Sequence, residues 1–199
     1  TLYSSGYGGH AIEGIGDKHV TWIHNVRNQD LLICINDQEA LDLCRALNRA
    51  RWALAESLEM PTEALDTLTG IFGISGCCNV LAAVRTARHY DMTAEQNILT
   101  VATDGFDRYP SVMDREEALH GPSDHQLVRR ALDHLRQDGR GWIQVGDDFH
   151  RRRWHNQKYF TWVEQQGMSV EALDALWEPE FWAAEYAKIP DLDAQTLAL

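Results

Sequence analysis

The feature that most restricts the fold is a change of hydrophobic period between residues 31 and 103. Residues 31–35 (LLICI) form a short unbroken apolar run after a polar stretch, the pattern of a strand covered on both faces of a parallel sheet. Asn36 stands three residues ahead of Glu39, which is capping-box spacing, and Ala40, Leu43, Cys44, Leu47, Ala50, Leu54 and Leu58 then recur at helical intervals. Gly70, Gly73 and Gly76 punctuate the next stretch, after which Val80, Leu81, Val84 and Ala87 mark one face of a second helix over about 75–90. Residues 97–103 (NILTVAT) read as another buried strand. The order strand, helix, glycine turn, helix, strand predicts an α/β body whose ligands sit beyond the carboxyl ends of strands.

Beyond Tyr109 the pattern changes. Residues 123–137 predict an amphipathic helix, and residues 142–182 hold five of the seven tryptophans among many charges. The expected organisation is an α/β body over 1–110 and a helical, Trp-rich extension over 111–199, with the aromatics as anchors.

Composition narrows the partners. Eighteen Lys+Arg against thirty Asp+Glu give a formal charge of −12, which disfavours sequence-independent attraction to nucleic acid or anionic lipid. Cys34, Cys44, Cys77 and Cys78 include no CxxC pair, and a bridge between adjacent cysteines is strained, so a reducing cytoplasm fits best. No apolar run approaches the roughly 20 residues of a membrane helix, and no charged-then-apolar leader precedes the globular pattern. The chain starts at Thr1 with a glycine-rich stretch at 4–9 and reads as the second part of something larger.

Three segments carry the chemistry. The first is the loop Gly9-His10-Ala11-Ile12-Glu13-Gly14-Ile15-Gly16, where glycines let backbone approach a ligand; its plain alternative is an ordinary turn. The second, Gly73-Ile74-Ser75-Gly76, leads into a helix and sets a hydroxyl and free N–H groups at its start; the plain alternative makes Ser75 an N-cap. The third, residues 103–109 (TDGFDRY), follows the expected second strand and is otherwise a strand-ending turn. His10, His19 and His24, with Asp17 nearby, match no common zinc spacing, so no metal is expected. Cys77 and Cys78 near a helix start suggest nucleophiles if the helix lowers a thiol pKa, or simply small-residue packing. Arg151-Arg152-Arg153 reads as a solvated basic face or a docking surface.

Taken together, in this order and spacing, the three segments resemble the second half of the cysteine synthase and cystathionine β-synthase family of fold-type II pyridoxal-phosphate enzymes. The resemblance covers roughly residues 6–111. It implies an open sheet of the tryptophan synthase β type with helices on both faces, of which this chain forms part, plus the helical C-terminal extension. It implies pyridoxal 5'-phosphate held by Ser75, Gly14, Thr103 and Asp104, with Ser75 facing the pyridine nitrogen. Glu13, Ile15, Gly16 and Asp17 would line the substrate side. Two departures bear on substrate class: Gly76-Cys77-Cys78 replaces the usual small residues after the serine, and Thr103-Asp104 stands where cysteine synthases have Pro-Ser.

The resemblance also implies a reaction. The cofactor ring is an electron sink, and a neutral serine hydroxyl at its nitrogen supplies no charge, so loss of a β-substituent is favoured over a long-lived carbanion. The expected activity is β-elimination or β-replacement on a small L-amino acid through an aminoacrylate, making the protein a lyase or transferase of amino-acid metabolism. The Schiff-base lysine and the Gly/Thr-rich phosphate cup lie upstream of this region in the family, and Lys18, Lys158 and Lys188 sit in no matching context. The lysine is therefore expected on an N-terminal half or companion subunit, the assembly forming a homo-oligomer. The alternative is a non-catalytic or regulatory relative that keeps the fold without the lysine half.

Overall fold

The computed structural model describes residues 1–12 and 17–197. These fall into two compact units, one of residues 1–9, 17–32 and 144–197, the other of residues 10–12 and 33–143. The chain is mostly helical, with one small two-stranded antiparallel sheet among the described residues. No described helix is long and apolar enough to cross a membrane.

The unit that contains residues 33–143 is built around α1 (Asp37–Arg49). Asn36 caps it as its spacing predicts: its side chain accepts from the Gln38 N–H, and the Glu39 carboxylate accepts from the Asn36 N–H. The helical pattern through Leu58 is interrupted at Ala50, after which α2 (Arg51–Ser57) continues. Next come α3 (Ile74–His89), α4 (Pro110–His120) and α5 (His125–Arg136). Pro110 opens α4 where its missing N–H has no helical partner to lose, and Gly121 closes it at φ +85°. Asp124 caps α5 by accepting from the N–H groups of Gln126 and Leu127. α1 packs chiefly on α3 and α5, and Leu43, Cys44, Cys77, Leu81, Met113 and Leu127 are buried between the helices. Each of the larger apolar side chains so enclosed stabilises the unit by about 1.5–3 kcal/mol.

Both expected strands come out differently. β1 (Leu31–Ile33) has three half-buried residues and pairs antiparallel with β2 (Ile143–Val145), in place of a central strand of a parallel sheet. The pairing is flanked by Cys34 N–H to Trp142 O at 2.9 Å and Gly146 N–H to Asp30 O at 2.7 Å. Residues 97–103 form no strand: they are exposed, Leu99 by 98% and Val101 by 65%. The sequence pattern is strand-like, but a strand needs a neighbouring strand to satisfy its N–H and C=O groups, and among the described residues no strand pairs with it, the Asn79 amide alone donating to Val101 O at 2.9 Å.

The other unit is built from α6 (Asp148–Asn156), a π-helical turn at Phe160–Gln165, α7 (Val170–Ala175), α8 (Pro179–Tyr186) and α9 (Ile189–Leu197). Its core is aromatic: Trp154 is fully buried with Val26 and Trp177. The Trp154 indole N–H donates to Gln144 Oε1 at 2.9 Å, and that of Trp162 to Val20 O at 2.7 Å. These bonds satisfy the polar edge of a ring whose body is buried.

Candidate functional site

Two of the three sequence segments meet at the start of α3. Gly73 is its N-cap and contributes no capping side chain, so no side chain caps the buried start of the helix. The Gly73 N–H donates to Asp104 O at 2.9 Å. A Cβ at Gly73 would lie 2.6 Å from Tyr109 Cε2 and 2.9 Å from Asp104 Oδ1, so only glycine fits beneath these side chains. Tyr109 Oη donates to Asp104 Oδ2, and Thr103 Oγ1 donates to Asp104 Oδ1 at 3.1 Å. Phe106 N–H reaches Gly70 O at 3.0 Å and knits the 103–109 turn to the glycine loop. Asp104 thus sits where a helix N-terminus favours a carboxylate.

Ser75 lies in the first turn of α3 and is fully buried, and its hydroxyl has no hydrogen-bond partner among the described residues. The N-cap alternative for Ser75 therefore does not hold, because the capping position belongs to Gly73. A buried hydroxyl without a partner is uncommon and costs about 1–3 kcal/mol.

The other expected site residues divide. Thr103 and Asp104 stand beside the α3 start, as described above. Asp17 belongs to the other unit, where its carbonyl accepts from Thr1 Oγ1 at 2.9 Å and its carboxylate from the His19 N–H at 3.3 Å. Glu13, Gly14, Ile15 and Gly16 lie outside the described residues.

No family model, curated protein or solved structure matches the chain. No family is assigned to it.

Of the two readings of Cys77 and Cys78, burial favours small-residue packing over nucleophiles. Cys77 is buried, and a hydrogen bond with Cys44, reinforced by burial, pushes its thiol up from the ordinary range. Burial also pushes Cys78 up, to about 11. Both thiols stay protonated at neutral pH, so the helix start does not make them nucleophiles.

Sequence reasoning missed two features of this unit. Asn48 donates to Cys44 O at 2.9 Å and accepts the Gly70 N–H at 2.8 Å, fastening the glycine loop to α1. Its signal was an amide on the apolar face of a helix. The second is a polar cavity of about 370 Å³ lined by Gln38, Asp42, His120, Arg130 and His134. Burial pushes the Asp42 carboxyl up, but hydrogen bonds from His134, Gln38 and Arg130 more than reverse this and hold it below the usual carboxylate range. Three helices, α1, α4 and α5, supply the residues of this cluster, so no local spacing announces it. Arg85, 2% exposed, pairs beside it with Glu39 at 2.8 Å.

Lys158, in the other unit, is also buried. Its ammonium donates to His24 O at 2.6 Å, and burial alone lowers its pKa to about 8.

Proposed function

We propose that this chain forms the cofactor-ring side of a pyridoxal-phosphate enzyme resembling cysteine synthases, acting in β-elimination or β-replacement on a small L-amino acid. The observation that carries the reading is Ser75: a buried, unpartnered hydroxyl in the first turn of α3. A hydroxyl without a protein partner is free to donate to a ring nitrogen as its acceptor. Bound pyridoxal phosphate would supply the electron sink. Ser75 would hold the ring nitrogen without adding charge, while Asp104 and Tyr109 fix the 103–109 turn and Gly73 keeps that turn close to the helix start.

Proton abstraction at Cα would fall to a lysine outside these residues, on an N-terminal half or companion subunit. Residues 97–103 support that division. An uncharged run rich in β-branched residues, exposed and without a strand partner among the described residues, has the composition of a strand whose neighbours are supplied by another segment. The open sheet of fold-type II enzymes, with helices on both faces, is proposed for that completed assembly.

The test starts with intact masses of every polypeptide in the preparation and its visible absorbance after incubation with pyridoxal phosphate. The expected result is a lysine-bearing companion and a visible band, with β-elimination or β-replacement on O-acetylserine, O-phosphoserine, cysteine or serine. In that assembly Ser75→Ala should weaken cofactor retention at least ~10-fold, the loss of one buried hydrogen bond of about 1.4 kcal/mol, and Ser75→Asp should abolish turnover. A colourless preparation that binds no pyridoxal phosphate, or a fully active Ser75→Asp enzyme, refutes the reading.

A further inference from the structure

Charge in the unit containing α6 to α9 is unevenly compensated. Arg151 is paired with Asp30 at 3.3 Å. Its two neighbours form no ion pair among the described residues: the Arg152 guanidinium lies 3.6 Å over the Trp177 ring, and Arg153 donates to the carbonyls of Tyr3 and Ser4. Both arginines line a groove of about 760 Å³ together with Ser4, Ser5, Asp148 and Phe149. Phe149 is 72% exposed, so the groove joins two arginines, against the one carboxylate of Asp148, to an open aromatic surface.

The C-terminal arm has the opposite character. α8 and α9 contain no buried residue, and Tyr186, Ile189, Leu192 and Leu197 are all exposed. Residues 178–197 carry five carboxylates (Glu178, Glu180, Glu185, Asp191, Asp193) against one cation, Lys188, which pairs with Glu185 at 2.6 Å. The other four carboxylates have no cationic partner among the described residues. In the two short helices only Phe181 and Trp182 are half-covered, the Trp182 indole donating to Leu176 O at 2.8 Å, so the exposed Tyr186, Ile189, Leu192 and Leu197 gain little from the fold of one copy and a surface from elsewhere would stabilise them.

We propose that the groove is an interface between copies of this chain, in which the acidic arm of one copy docks into the Arg152/Arg153 groove of another. The complementarity selects the occupant. The groove offers cations and an aromatic ring, and the arm offers unpaired carboxylates beside Phe181, Trp182 and Tyr186. Exchange of arms between two copies makes the contact twice about a two-fold axis. This doubles a contact that a pair of helices about 12 and 14 Å long would otherwise keep small. Ions screen it because the charges lie at the protein surface.

The experiment is sedimentation velocity on the full chain across a concentration series, at low and high salt. The expected result is a monomer–dimer equilibrium whose Kd rises with salt and rises at least ~10-fold in Arg152→Glu/Arg153→Glu. The charge-swapped arm Glu178→Arg/Glu180→Arg should also weaken self-association, and mixing the two variants should restore a heterodimer. The mixing arm guards against misfolding, because two unfolded variants do not rescue each other. A chain that stays monomeric at every concentration, or a dimer indifferent to salt and to both charge reversals, overturns the proposal.

Discussion

Replacing Ser75 by alanine isolates the energetic cost of its hydroxyl. In most buried positions Ser→Ala removes a made hydrogen bond and destabilises. Here the hydroxyl is fully buried and has no partner among the described residues, so the substitution removes a desolvated group that gains nothing in return. That cost is about 1–3 kcal/mol. Loss of the oxygen's dispersion contacts subtracts a few tenths, and alanine's better helix propensity in α3 adds back a similar amount. The net expectation is a gain of about 1–2 kcal/mol. With a urea m-value of about 2 kcal/mol/M, the unfolding midpoint followed by far-UV circular dichroism should rise by about 0.5–1 M. A midpoint lowered by that amount would refute the reasoning, since it would mean that the hydroxyl is bonded in the chain alone. The same change should weaken the pyridoxal-phosphate complex, so Ser75→Ala is expected to raise stability and lower function together, as site residues often do.

Two further perturbations test the charged core. Glu39→Leu strands the Arg85 guanidinium and should cost about 3–5 kcal/mol, whereas Glu39→Leu/Arg85→Met should recover most of it; a double variant as unstable as the sum of its singles refutes the pairing. Asp42 has a folded pKa below its unfolded value, so its contribution is complete above about pH 4 and is lost as pH falls through the folded value. Acid titration of unfolding should therefore show a drop in stability that Asp42→Asn removes, and identical profiles would refute that assignment.

Legibility of the sequence followed the range of the interactions. The α1 cap was readable because Asn36 and Glu39 are three residues apart, and α3 because its apolar residues repeat within one helix. The meeting of Gly73 with Asp104 and Tyr109 was anticipated only as separate segments, since their contact spans about thirty residues of chain and rests on packing too close to admit a Cβ at Gly73, which no spacing encodes. Of the two expected strands the first formed over Leu31–Ile33, but half-buried in an antiparallel pair, and the second did not form: periodicity reports what a segment would bury, and pairing depends on what stands next to it. Residues 97–103 have the period without the neighbour. The cavity around Asp42 was invisible because Gln38, Asp42, His120, Arg130 and His134 come from three helices, and a charge at a helical position looks the same in sequence whether it faces water or another charge.

The exposed run at 97–103 also has a bearing on how the chain behaves in a test tube. It has no charge, no proline and no glycine, and its Ile98, Leu99 and Val101 are open to solvent, which is the composition of a segment that stacks into cross-β fibrils. Only Glu95 and Asp104 flank it with like charge, as gatekeepers. Concentrated stocks of the chain on its own should turn over slowly into thioflavin-positive material that starts from this segment. Shelf life, rather than fold, would then be the first property to improve when a neighbouring strand covers it.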